Sequence, residues 1–250
     1  YAKIMLPELT FPYLIPGQEV LLDDGKIHLK IVEKAENMAE NGGENTQGKR
    51  YFAKVLWGGL LKSRKSAALP GAKIYPPTLT NSDLANIKIA KEMGVTGVMQ
   101  PFVRDHSDLE CVKEALREAG AEDIRLFAKI ENMDGVRKLE KLLPAADEIV
   151  IARGDLGNAV HLWDLPGVQR QIAEKCRAAG KPFMVVTQML ASMERSPVPT
   201  RAEVNDIFHA VMDGAASIMV TGETAVGDYP VEVIRYMVNT VRSAEKEENR

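Results

Sequence analysis

From about residue 76 to the C-terminus, apolar runs of strand length alternate with longer amphipathic stretches of helix period. Strands are predicted over 95–101, 124–129, 148–153, 182–187 and 217–220. Helices are predicted between them. The first, capped by Thr80 or Asn81 with Asp83 in its first turn, runs to about Gly94. The next extends from near Ser107 to Gly120, and another opens near Met133. The remaining helices cover 167–179, closed by Gly180, then 201–213 and 231–244, the last running into a charged tail. Strand and helix in strict alternation make an α/β fold of five β/α units, with parallel strands and right-handed connections expected.

The first 70 residues have another texture. The segment 19–34 reads as two strands around Asp23-Asp24-Gly25-Lys26, and Asp-Gly is a strong tight-hairpin signal. A polar turn over 42–50 precedes a further strand at 51–56, so a small antiparallel all-β domain is expected over 1–70 and the β/α units over 71–250. Residues 58–71 read as a connector in which Lys62, Arg64 and Lys65 form a basic loop, and His28 as a residue on a strand face. Five parallel strands do not close a barrel of eight. Either the sheet is open, or the first part of a barrel lies outside these residues.

Composition narrows the class without changing this picture. A chain of 250 residues, 45% hydrophobic with a formal charge of −3, can bury a substantial core. No basic stripe marks a nucleic-acid partner, and no apolar run approaches a membrane span. The two cysteines, Cys111 and Cys176, fall in helical patterns and are too few for a disulfide framework. With no secretory signal read at the start, a cytoplasmic location is expected.

The candidate chemistry lies at the strand ends. The 124–129 strand is apolar until Lys129 and is followed by Glu131 and Asn132; the next is followed by Gly154, Asp155 and Gly157. Parallel strands joined by one helix are neighbours, so these ends lie side by side on the edge where α/β proteins bind ligands. One lysine and two carboxylates there suit a divalent cation and an anionic oxygen substrate. The flanking glycines leave backbone N–H groups for an anion. Thr187 ends the fourth strand, and Thr221, Gly222 and Glu223 end the fifth. His106, His161 and His209 have no metal-type spacing and read as surface or boundary residues.

Seven motifs in order now carry a resemblance: Leu69-Pro70-Gly71, Phe102-Val103-Arg104, Lys129-Ile130-Glu131-Asn132, Ala152-Arg153-Gly154-Asp155-Leu156-Gly157, Thr187-Gln188-Met189-Leu190, Pro199-Thr200-Arg201-Ala202-Glu203 and Gly222-Glu223-Thr224-Ala225. Over nearly its whole length the chain resembles the pyruvate kinase family, from the inserted β domain through the last unit of a (β/α)8 barrel of the TIM type. The resemblance implies transfer of phosphate from phosphoenolpyruvate to ADP, giving pyruvate and ATP. It implies Glu131 and Asp155 as ligands of Mg²⁺ (or Mn²⁺), and Lys129 as the cation that neutralises the transferring phosphoryl group and the enolate. Gly154, Asp155 and Thr187 would hold the substrate carboxylate, Thr187 would orient the proton relay, and Lys65 would approach the nucleotide phosphates. A homo-oligomer, a tetramer in the family, is also implied. K⁺ is expected with its ligands in the first three barrel strands, which the resemblance implies are absent here together with a C-terminal regulatory domain. By themselves the 250 residues are accordingly expected to be inactive.

Three positions depart from the family pattern: Pro101 stands for Ser, Ala68 for Asn and Ala159 for Glu. Pro101 and the missing strands keep open a non-catalytic module that senses phosphoenolpyruvate or nucleotide. A metal-dependent aldolase or lyase acting on pyruvate enolates is a third reading, against which the β domain and Lys65 argue.

Overall fold

The structure, a computed structural model, describes residues 2–23, 25–35 and 50–248, the side chain of Glu248 excepted. Two compact units divide the chain, Tyr1–Pro77 and Thr78–Arg250. Among the described residues no helix is long and apolar enough to cross a membrane.

The first unit holds four antiparallel strands, β1 (Glu19–Leu22), β2 (Ile27–Lys34), β3 (Tyr51–Trp57) and β4 (Ala67–Ala68), in the order β3-β2-β1-β4. Val20, Leu22, Ile27, Leu29 and Ile31 bury one small core with Leu14 and Leu69. The β1–β2 hairpin turns where Asp-Gly predicts it. Asp23 takes a left-handed φ of 50°, and the Lys26 amide donates to the Asp23 carbonyl at 3.2 Å. The polar turn expected over 42–50 lies outside the described residues except for Arg50. A 3-10 helix at Glu8–Tyr13 had no counterpart in the sequence reading, and the expected connector contains β4, whose Ala67 and Ala68 pair with Leu22 and Leu21. His28 lies on β2, as read. It is buried, packed edge-on against Trp57 at 4.2 Å, with Nε2 3.2 Å from Glu19 Oε2 but without the alignment of a hydrogen bond.

In the second unit the elements alternate: α1 (Asn81–Ala90), β5 (Gly97–Gln100), α2 (His106–Glu118), β6 (Arg125–Ile130), α3 (Met133–Arg137), α4 (Leu139–Leu142), β7 (Glu148–Ala152), α5 (Arg153–Ala159), α6 (Leu165–Ala178), β8 (Phe183–Val186), α7 (Arg201–Met212), β9 (Ser217–Met219), α8 (Gly222–Ala225) and α9 (Pro230–Glu248). The five strands are parallel and stand in sequence order, β5-β6-β7-β8-β9. The sheet does not close: β5 and β9 are its edges among the described residues. Thr80 and Thr200 each close a capping box with the acid three residues on, Asp83 and Glu203. The cap of α2 is Asp105, whose carboxylate accepts from the Ser107 amide.

Period-two alternation sorts the strand residues onto two faces. Leu126, Ala128, Ile130, Ile149, Ile151, Phe183 and Val185 meet the apolar faces of the helices in the main core. Met99, Phe127, Val150, Ala152, Met184, Val186 and Met219 form a second apolar layer on the opposite face. At the N-terminal end of that layer the buried Glu148 accepts from Ser217 Oγ at 2.5 Å and pairs with Arg125 at 3.2 Å, and the Arg125 guanidinium lies over the Phe127 ring. Lys129 and Glu131 continue the same face at the C-terminal end.

Two expectations fail locally. The helix opening near Met133 is broken into α3, α4 and a 3-10 turn at Leu143–Ala145. Lys138 leaves the helical region (φ −99°, ψ 9°), and Pro144 cannot continue an α-helix. The strand predicted over 148–153 ends at Ala152. The residues that follow it, Gly154, Asp155 and Gly157 among them, lie in the helix α5, which begins at Arg153.

Gly135, in the first turn of α3, sits where a Cβ would come 2.6 Å from the Val103 carbonyl oxygen, so a side chain there must push the loop after β5 away. We expect Gly135→Ala to destabilise the fold by about 1–3 kcal/mol, measured by urea unfolding; an unchanged midpoint would show that this loop yields without cost.

Candidate functional site

The β6–β7 register pairs Lys129 with Val150 and Ile130 with Ile151. Glu131 thus follows its strand by one residue, and Asp155 follows its own by three, in the first turn of α5. The parallel sheet brings both, with Lys129 and Thr187, to its C-terminal edge.

Glu131 is the most enclosed of these groups, 2% exposed. Its Oε2 accepts from the Phe102 amide at 2.7 Å, and its Oε1 pairs with Lys129 Nζ at 2.6 Å. Phe102, just past β5, has φ 53°, a left-handed conformation uncommon outside glycine. The next residue to Glu131 fastens the same loop. Asn132 Oδ1 caps α3 at the Gly135 amide (2.9 Å), while its Nδ2 donates to the Val103 carbonyl at 3.1 Å. The segment Phe102-Val103-Arg104 is therefore held from β6 by two consecutive side chains.

Arg104 anchors the far end of that loop. Its Nη2 reaches Asp108 Oδ1 at 2.5 Å, its Nε and its amide both reach Oδ2, and Thr78 Oγ1 donates to Oδ1 at 2.6 Å. Burial alone would raise the Asp108 pKa, but the hydrogen bonds from Arg104 and Thr78 outweigh it and hold the carboxyl down at about 2.

The β7–β8 side has a second anchor. Arg153, whose side chain is 12% exposed, places Nη1 2.8 and 2.7 Å from the two oxygens of Asp206 in α7. Its Nη2 donates to the Thr187 carbonyl at 2.7 Å and also reaches Met189 Sδ. Thr187 and Gln188 follow β8 with φ of 71° and 53°. For a β-branched residue such a φ is strained, and strain of this kind gathers at functional sites. Thr187 Oγ1 accepts from the Gly154 amide at 2.9 Å. The Gly154 N–H is thus engaged rather than free, which corrects the sequence expectation, while the Thr187 hydroxyl keeps its own hydrogen to donate.

The remaining strand-end acid is occupied. Glu223, 2% exposed, accepts from the Leu190 amide at 3.2 Å and the Thr221 amide at 2.8 Å, fastening the exit of β8 to that of β9. Among the described residues no group of three or more His, Cys, Asp or Glu side chains is arranged around a metal position. In the first unit, Lys65 Nζ lies 2.9 Å from Asp23 Oδ1, and the bond from Lys65, with Lys26 nearby, lowers the Asp23 carboxyl against the opposing effect of burial. His106 approaches Glu110, His161 stacks on Trp163, and His209 Nδ1 meets the Asn205 carbonyl. Cys111 is exposed, and burial of Cys176 pushes its thiol up to about 12, with Lys181 opposing.

The role of Arg153 was missed in the sequence, where it read as the last residue of a strand. Its partner Asp206 stands 53 residues away, a spacing that no local pattern reveals.

A parallel sheet of β/α units with a lysine, two acids and a strained threonine at its C-terminal edge places the chain among β/α proteins. The family model described as "Pyruvate kinase, barrel domain" matches residues 6–234. Pyruvate kinase of Bacillus licheniformis is 38% identical over 230 residues, that of Geobacillus stearothermophilus 39% over 233, and that of Chlamydia trachomatis serovar D 35% over 242. These alignments take in 92%, 92% and 97% of this chain but 38%, 38% and 47% of the relatives, so the chain spans less than half of their length. The chain belongs to the pyruvate kinase family.

The Asp108 geometry has a measurable consequence. A folded pKa of about 2, below the ordinary 3.8, contributes stability that is complete above the unfolded pKa and lost as pH falls from about 4 toward 2. We expect Asp108→Asn to cost about 2 kcal/mol at neutral pH and to flatten the acid limb of the stability curve. Chemical denaturation across that range checks this, and parallel curves for the two proteins would reject it.

Proposed function

We propose that this chain carries part of the active site of a pyruvate kinase, which moves the phosphoryl group of phosphoenolpyruvate to ADP and yields pyruvate and ATP. The observation that carries the reading is the Lys129–Glu131 pair at 2.6 Å on the C-terminal edge of the sheet, one strand from Asp155 and two from Thr187. In the reaction the enol C–O–P linkage opens at phosphorus, a new P–O bond forms to the terminal phosphate of ADP, and the enolate carbon takes a proton.

The donor set fits a hard divalent cation. Glu131 is a buried carboxylate that already faces a cationic group, and Asp155 supplies a second carboxylate on the neighbouring strand exit. Two protein carboxylates, with water and substrate oxygens completing the shell, is the usual arrangement for Mg²⁺ or Mn²⁺. Such a cation, held by Glu131 and Asp155, would supply Lewis-acid stabilisation of the enolate oxygen.

The chain's own groups divide the remaining work. Lys129 brings a fixed positive charge to the phosphoryl oxygens as charge spreads over them, the main catalytic device in phosphoryl transfer. The Asp155 amide and the Thr187 hydroxyl bind the substrate carboxylate, while the Gly154 amide stays with Thr187 Oγ1; the hydrogen that Thr187 Oγ1 retains is the one it donates. Thr187 also orients the water that delivers the proton to carbon. The bond from the Gly154 amide to Thr187 Oγ1 fixes the hydroxyl before the anion arrives. Arg153, bound to Asp206, holds the Thr187 backbone in its left-handed conformation and serves as a positioning residue. Lys65 meets the nucleotide phosphates once it leaves or shares Asp23. An oligomeric enzyme that requires K⁺ completes the proposal, as the family implies.

The test uses Lys129→Met in the full-length protein that contains this chain. Kinase turnover is expected to be lost, while exchange of tritium from bound pyruvate continues, because Thr187 and the cation still polarise the ketone. Equal loss of both activities would mean that Lys129 assembles the site instead of neutralising the phosphoryl group.

A further inference from the structure

A carboxylate as enclosed as Glu131 is costly to keep without a compensating positive charge. One is already in place: Lys129 Nζ sits 2.6 Å from Oε1, with the lysine side chain 23% and the glutamate side chain 1% exposed. The other oxygen is committed to the Phe102 amide at 2.7 Å. A cation approaching Oε1 would meet the ammonium already paired with it. We infer that Lys129 is the resident counter-ion of Glu131 and that a divalent metal takes its place, so that loading the metal releases the ammonium for an incoming anion. This inference rests on the reading of Glu131 and Asp155 as metal ligands and adds an exchange to it.

The geometry favours exchange over simple coexistence. Lys129 and Glu131 are two residues apart on one face of the chain leaving β6, so the ammonium needs only side-chain rotation to leave Oε1. The backbone need not move, because the Phe102 amide continues to hold Oε2 and keeps the carboxylate oriented. Lysine is suited to such a role by its compact charge on a flexible stem. The competition links the two cations thermodynamically. Metal affinity is reduced by the free energy of the ammonium–carboxylate pair, and the ammonium is held back from other anions until a metal arrives.

Mn²⁺ is the probe, followed by water-proton relaxation enhancement and by thermal unfolding of the full-length protein, with Lys129→Met, Glu131→Gln, the double variant and Asp155→Asn beside the wild type. Without metal, Lys129→Met is expected to unfold about 5 °C lower than wild type, because Glu131 has lost its counter-ion. Saturating Mn²⁺ is expected to recover that deficit, and Mn²⁺ is expected to bind Lys129→Met about tenfold more tightly than wild type. In the Glu131→Gln background, the lysine substitution should leave metal-free unfolding unchanged. Unchanged or weaker Mn²⁺ binding in Lys129→Met overturns the exchange. So does a deficit that persists at saturating Mn²⁺, or one of equal size when the double variant is set against Glu131→Gln alone. If neither Glu131→Gln nor Asp155→Asn alters Mn²⁺ affinity, the metal-site reading itself fails. Loss of affinity in those two variants, with none of the Lys129 effects, leaves that reading standing and rejects the exchange alone.

Discussion

In a parallel sheet every strand leaves at the same edge, and the backbone there runs out of ladder partners all at once. This chain meets that constraint with side chains that reach sideways from one exit to the next. Glu131 accepts the Phe102 amide, Asn132 donates to the Val103 carbonyl, Thr187 accepts the Gly154 amide, Arg153 donates to the Thr187 carbonyl, and Glu223 accepts the Leu190 and Thr221 amides. Most of the polar residues in the strand-end motifs thus fasten neighbouring loops. Glu131 and Thr187, proposed above for chemistry, are themselves part of that fastening.

The inner face of the sheet changes character along its length. At the N-terminal end Glu148, Arg125 and Ser217 form an ion-paired cluster; an apolar layer from Met99 to Met219 fills the middle; Lys129 and Glu131 stand at the C-terminal end. Within the pair the glutamate side chain is 1% exposed and the lysine side chain 23%. With one partner so enclosed, the pair interacts more strongly than one at a fully exposed surface.

Much of this could be read from the amino acids. The alternation of strand and helix, the parallel order of neighbours and the meeting of Lys129, Glu131, Asp155 and Thr187 on one edge follow from local patterns plus the rule that sequential β/α units lie side by side. What could not be read depends on tertiary context. Nothing around Gly154 signalled a helix, because its glycines fit a turn equally well; in the fold Leu156 of that helix is fully buried. The engagement of the Gly154 amide, the left-handed Thr187 and the pairing of Arg153 with Asp206 arise only when distant segments are brought together. His28 belongs to the same class, since its burial against Trp57 is set by a neighbouring strand.

The sheet order has a consequence for how the polypeptide is made. In the second unit each strand from β6 to β9 pairs with the one synthesised just before it, and none waits for a distant segment to fill a gap between two earlier strands. Short separations between partners favour rapid ordering. A ribosome extruding this sequence would therefore present each new β/α unit to a docking edge that already exists, and growth could proceed unit by unit. Throughout that growth only the most recently added strand would stand unpaired at the advancing side, which limits the time any one apolar strand is open to the wrong partner.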